Sequence, residues 1–147
     1  MLALVVGCHR GGAGAGTEAA PAPEAVQQAF ARVKKQFGDL QQRFADLGRD
    51  VEGLPADLPG YPQLRAAFYA GEEARGVTDA RLTLLSDRLD AAVASGRAAN
   101  LRQLGKEIEQ AQGQAREIDR LYLQLLHQVL AFQRAAQQSG SRPLVAK

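Results

Sequence analysis

The sequence predicts an all-α protein, namely an antiparallel up-down-up bundle of three long, coiled-coil-like helices preceded by a flexible N-terminal tether. Apolar residues recur every three or four positions over three long stretches, which is typical of helices that bury one face. A loop rich in proline separates the first two stretches, and a Ser-Gly pair separates the last two. The chain has 147 residues, of which 46% are hydrophobic, enough for one such domain (24–138) with its tails.

The first stretch predicts a helix over about residues 22–53. Two prolines precede it or lie at its start, and the Leu54-Pro55 step ends it. Its stripe alternates steps of four and three without a miss, so we expect one continuous helix with this face in the core. The stripe residues are Val26, Phe30, Val33, Phe37, Leu40, Phe44, Leu47, Val51 and Leu54.

The second stretch predicts a helix over about residues 63–95, which is apolar at both ends and weak in the middle. Gly76 is a position at which this helix could be kinked or interrupted, and the sequence leaves that open. Ser95 and Gly96 mark its end. Its stripe consists of Leu64, Phe68, Gly71, Arg75, Thr78, Leu82, Leu85, Leu89 and Ala92.

The third stretch predicts a helix over about residues 98–138, again in unbroken steps of three and four. Residues 139–147 contain Ser, Gly and Pro and are expected to form a disordered tail. The stripe residues are Leu101, Leu104, Ile108, Ala111, Ala115, Ile118, Tyr122, Leu125, Val129, Phe132 and Ala136.

Antiparallel folding of these helices predicts which residues share a layer of the core. Phe44 of the first helix should lie beside Gly71 of the second and Tyr122 of the third, so that a large side chain meets a small one. Phe37 should lie at the level of Leu82. The register follows from spacing alone.

The third helix is longer than the other two, so its last turns need a cover. The loop before the second helix could supply one through Leu58 and Tyr61. Alternatively, Leu126, Leu130 and Phe132 form an exposed apolar patch that binds a protein partner or a second copy of the chain.

The N-terminus combines a short apolar run with the only cysteine. Residues 1–7 are apolar or small, Cys8 follows, and a Gly/Ala-rich segment leads to Pro23. Seven residues are too few to cross a bilayer, which takes about 20. The sequence Val5-Val6-Gly7-Cys8 resembles the lipobox of bacterial lipoproteins.

That resemblance implies that residues 1–7 are the remnant of a cleaved signal peptide and that Cys8 carries lipid, a diacylglycerol and an acyl chain such as palmitate. Residues 8–23 would then be the tether to the membrane. In enterobacterial lipoproteins an Asp after the Cys commonly signals retention in the inner membrane, and His9 stands there instead. The resemblance therefore implies an outer-membrane lipoprotein facing the periplasm. The other explanation is an incidental Cys in a disordered, hydrophobic N-terminus.

The segment before Cys8 is shorter than a normal signal peptide and contains no Lys or Arg. We therefore expect that the reading frame starts upstream of Met1 or that the chain is a fragment.

The composition argues against catalysis, a cofactor, a metal site and nucleic-acid binding. One Cys and two His offer little for a metal site or for a nucleophile with its base. The 18 basic and 16 acidic residues alternate along the chain, so no basic patch is visible. Arg75 is the one charge on a predicted core face. It either extends its head into water or binds an anion or a partner's carboxylate.

The leading hypothesis is a lipid-anchored, non-enzymatic bundle of the bacterial envelope that acts through protein contacts, with a protein partner or by self-association. A second hypothesis is a bundle that binds or senses a small ligand in the weak middle around Gly71, Arg75 and Thr78. A third is a soluble coiled-coil adaptor without lipid.

Overall fold

The computed structural model of the protein describes residues 19–140. It contains α1 (Pro23–Glu52), α2 (Tyr61–Ser95) and α3 (Ala98–Gly140), with no strand in this part of the chain. The helices form the predicted antiparallel three-helix bundle, in which each helix packs against both others. Cys8, the apolar segment before it and most of the expected tether lie outside the described residues.

The core is built from the three predicted stripes. Every residue of the α1 stripe is buried, and so is every residue of the α2 stripe except Arg75. The α3 stripe is buried apart from Tyr122, Phe132 and Ala136, which are half-buried. Periodicity therefore identifies the core face of each helix correctly.

The predicted layer around Phe44 is confirmed. The ring of this fully buried residue lies 5.7 Å from that of Tyr122 and 6.3 Å from that of Phe68, between centroids. A Cβ atom at Gly71 would lie only 3.0 Å from Cε1 of Phe44. A side chain there would require the ring to shift by a few tenths of an ångström, so a glycine suits this position on the core face of α2.

The connection between α1 and α2 differs from the prediction by two residues, because α2 begins at Tyr61 rather than near residue 63. Gly60 precedes it in the left-handed region, with φ of +86°. Pro62 falls in the first turn, where its missing N–H breaks no hydrogen bond of the helix.

The structure also shows whether α2 is interrupted and where α3 ends. α2 continues without interruption through Gly76, an exposed position with nothing within 4 Å of where a Cβ would lie. α3 extends to Gly140, so residues 139–140, which we expected in a disordered tail, are helical. The hydroxyl of Ser139 donates a hydrogen bond to the carbonyl of Ala135, at 3.0 Å.

Two ion pairs link the helices from outside the core. Nη1 of Arg43 in α1 lies 3.2 Å from Oδ1 of Asp119 in α3. Arg88 of α2 binds both carboxylate oxygens of Glu107 in α3. Both pairs are at least partly exposed, so each contributes about 1 kcal/mol or less.

Candidate interaction surfaces

Arg75 lies on the core side of α2, as predicted, with 17% of its side chain exposed. Its Nε and Nη2 each donate to a carboxylate oxygen of Glu72, one turn earlier, at 3.1 Å. The hydrogen bond to Glu72 raises the pKa of the guanidinium further above its ordinary value. Arg75 is thus paired with a carboxylate of its own helix. This arrangement does not favour the alternative in which Arg75 binds an anion or a partner.

The end of α3 is covered in part by the α1–α2 loop. The ring of Phe132 is half-buried and would lie 3.3 Å from a Cβ atom at Gly60. Leu126 is also half-buried and packs against the core, as Tyr61 does. Leu130 remains 39% exposed. The structure therefore separates the three residues of the predicted patch, because the loop contacts Phe132 and leaves Leu130 open.

Leu123 is a surface residue that lies outside the predicted stripe of α3. It is 46% exposed and lies seven residues, or two turns, before Leu130 on the same side of α3. These two leucines form a small exposed apolar pair. The heptad spacing between them is visible in the sequence.

A groove with a volume of about 920 Å³ lies between α2 and α3. Its floor contains the buried residues Thr78 and Ile118. The Thr78 hydroxyl donates to the Ala74 carbonyl at 3.1 Å, so its hydrogen-bonding capacity is already used in part. The groove is lined by Ala70, Glu73, Ala74, Val77, Thr78, Arg81, Gln110, Gly113, Gln114, Glu117 and Ile118.

This groove overlaps only in part with the ligand pocket expected in the middle of α2. Thr78 lines it, whereas Gly71 and Arg75 do not. The space beside Gly71 is filled by Phe44, Leu121 and Leu125. The weak middle of the α2 stripe is therefore packed by large residues of its neighbours, and the groove opens beside it on the outer face.

An exposed apolar strip runs along α2, at the edge of this groove. Val77 is 67% exposed and Leu84 is 58% exposed, although both are large aliphatic residues. Residues 70, 77 and 84 are seven apart and share one face. Ala74 and Ala80 lie beside these residues and are also exposed. We call the following five exposed residues the α2 strip: Ala70, Ala74, Val77, Ala80 and Leu84.

The end of the groove near residue 81 is held by side-chain hydrogen bonds. Arg81 donates through Nη2 to Oε1 of Gln110 at 2.8 Å, and through Nη1 to Oε1 of Gln114 at 3.1 Å. Both acceptors are neutral amides, so they do not neutralise the positive charge of Arg81 at the groove. Glu73 and Glu117 border the same groove with the opposite charge.

A smaller cleft of about 500 Å³ lies between the start of α1 and α3. It is lined by three cationic side chains, Arg32, Arg102 and Lys106, and one carboxylate, Glu109. Ala19 and Pro21, which precede α1, also line it. The basic side of the bundle therefore adjoins the end of the expected tether.

Among residues 19–140, no group of three or more His, Cys, Asp and Glu side chains is placed to hold a metal ion. His127 is exposed on the outer face of α3. No helix in the described part of the chain is long and apolar enough to cross a membrane.

Comparison of the chain with family models, with curated proteins and with solved structures finds no match in any of the three.

Proposed function

We propose that this protein is a lipid-anchored protein of the bacterial envelope, without enzymatic activity, that acts through contacts with other protein molecules. One observation supports the proposed role in binding other protein molecules, which we call the contact role. Val77 and Leu84 expose more than half of their surface on a helix whose opposite face packs into the core. Large aliphatic residues aligned on an exposed face are typical of a surface that another protein covers.

The proposal of a lipid anchor is supported by the sequence around Cys8. The resemblance of Val5-Val6-Gly7-Cys8 to a lipobox implies acylation of that thiol, and α1 begins only at Pro23. We propose that the segment between Cys8 and Pro23 is a tether; a flexible chain of about 15 residues has a root-mean-square reach of about 20 Å, which is enough to separate the bundle from the lipid headgroups. With His9 after the Cys, we propose the outer membrane, facing the periplasm, as the location.

The anchor is tested on the protein expressed in a bacterium with its upstream reading frame. We expect mass spectrometry to find a chain that begins at Cys8 and carries added lipid mass, and phase partitioning to place it in the detergent phase. Cys8→Ala should move the protein to the aqueous phase with an unchanged melting temperature, because the helices begin well beyond this residue. A free thiol at Cys8 with the preceding residues retained would favour the soluble adaptor.

The ligand-binding alternative finds support only in the groove between α2 and α3. Because Arg75 is paired with Glu72 and does not line the groove, Arg75→Ala should leave any ligand response intact, whereas Arg81→Ala should reduce it. Loss of a response with Arg75→Ala while the fold is retained would point instead to the pocket expected from the sequence.

A further inference from the structure

The charges along the α2 strip are arranged with a polarity. Glu73 borders the groove toward the N-terminal half of the strip, and Arg81 borders it toward the other end. Glu117, the third charged residue of the lining, is paired with Arg120 at 2.8 Å. Glu73 and Arg81 are eight residues apart, about 12 Å along the helix, which is too far for them to pair with each other. One end of this surface is therefore acidic and the other basic.

The sizes of the side chains along the strip are also unequal. Ala70 and Ala74 leave the N-terminal half shallow, whereas Leu84 projects from the C-terminal half. Val77 lies midway between Ala70 and Leu84. A surface with a hollow and an acidic end on one side, and a projection and a basic end on the other, is complementary to an inverted copy of itself.

We propose that the α2 strip and its groove bind a second copy of this chain, with the two α2 helices antiparallel and related by a two-fold axis near Val77. Leu84 then packs over Ala70 of the second copy, and the acidic end of each groove faces Arg81 of the other. A parallel arrangement would bring like charges together, which is unfavourable.

This inference deepens the proposed function by naming the occupant of the contact surface. It rests on the contact role alone and requires no lipid on Cys8. The contact extends over residues 70–84, about 22 Å of helix, so it is at the small end of specific interfaces. We therefore expect a reversible dimer with a dissociation constant of about 1–100 μM.

The charge polarity is tested by sedimentation of the full chain carrying Cys8→Ala, which excludes association through lipid. We expect a concentration-dependent monomer–dimer equilibrium for this reference protein. Arg81→Glu, the acidic variant, replaces the basic end with a second carboxylate, and Glu73→Lys, the basic variant, replaces the acidic end with a second cation. Each variant alone should dimerise at least about tenfold more weakly.

An equimolar mixture of the acidic and the basic variant should recover the dimer, because each copy then faces the opposite charge. Damage to the fold cannot produce this recovery. A reference protein that stays monomeric up to several hundred micromolar, or a mixture that stays monomeric, would overturn the proposal. The result for Cys8 lipidation is independent of either outcome.

The position of the axis is tested with a disulfide. In the same Cys8→Ala background, Val77→Cys places the introduced thiol near its own copy across the axis, within the distance that a disulfide requires. We expect a covalent dimer under mild oxidation. Thr83→Cys, also exposed on α2 but facing the α1 side, is the matched control and should stay monomeric. Equal cross-linking of both variants would show random collision and contradict the antiparallel interface.

Discussion

Two glycines of α2 have opposite roles at the scale of single residues. A glycine inside a helix costs about 1 kcal/mol relative to alanine. At Gly71 this cost is offset, since Phe44 and Leu121 occupy the space that a side chain would need, at 3.0 and 3.3 Å from the position of Cβ. At Gly76 nothing lies within 4 Å, so packing provides no corresponding gain.

Gly71→Leu should therefore lower the free energy of unfolding by about 2 kcal/mol, because overpacking a tight core displaces its neighbours. Gly76→Leu in the same helix should raise it by about 0.8 kcal/mol through helix propensity alone. Thermal or urea unfolding of both variants checks this. If the two substitutions had the same effect, the close approach of Phe44 to α2 would be wrong.

Glu107 gives the bundle a dependence on pH. The hydrogen bond from Gln103, together with the ion pair to Arg88, lowers the pKa of this carboxyl below its ordinary value. A carboxyl with a lowered pKa in the folded state stabilises the protein fully above its unfolded pKa, about 4.3, and loses that contribution as the pH falls through the folded value.

Glu107→Gln should therefore cost about 1 kcal/mol at pH 7 and have little effect near pH 2, where the natural side chain is protonated as well. Glu109→Gln, two residues later and exposed, is the control and should have little effect at either pH. Urea unfolding at the two pH values makes the comparison. A cost for Glu107→Gln that is unchanged by pH would show that the ion pair does not cause it.

At the scale of helices and turns, two glycines with positive φ end or begin helices but differ in their surroundings. Gly60 has φ of +86° and lies against Phe132, whereas Gly96 has φ of +61° and no neighbour within 4 Å of a Cβ position. Any side chain is strained in this conformation, by about 1 kcal/mol.

Gly96→Ala should lower the free energy of unfolding by that strain alone. Gly60→Ala should lower it further, because the added methyl group also approaches the ring of Phe132 to 3.3 Å. Combining Phe132→Leu with Gly60→Ala should remove the excess. Denaturant unfolding of these variants measures it. Equal costs at the two turns would mean that the α1–α2 loop does not press on the end of α3.

The sequence predicted the core faces of the helices well because burial repeats with the helical period, so each stripe carries many concordant residues. The sequence predicted the end of α3 and the exposed surface of α2 less well, because single local contacts determine such features. The extension of α3 to Gly140 breaks no rule of helix periodicity, and no stop signal separates Gln138 from Ser139. The α2 strip was missed because alanines fit both the core and the surface, which leaves exposed Val77 and Leu84 as the only signal.

The whole molecule distributes its core volume unevenly among the three helices. α1 contributes the buried rings of Phe30, Phe37 and Phe44. The facing stripes of α2 and α3 contain small buried residues, among them Gly71, Thr78, Ala111 and Ala115. Because α1 fills the space that these small residues leave, we expect that the hairpin of α2 and α3 does not remain folded without it.

Phe37→Asp should therefore unfold the entire bundle, although it changes only the middle of α1. Phe37 is 2% exposed, and burying a carboxylate at its position costs several kcal/mol on top of the lost ring contacts. We expect circular dichroism to show loss of most of the helical signal, whereas Lys35→Asp, exposed on the same helix, should keep the native spectrum. If Phe37→Asp instead retained the helical signal of α2 and α3, with their amides still protected from hydrogen exchange, the hairpin would be an independent unit. The cooperativity that we attribute to large-on-small packing by α1 would then be wrong.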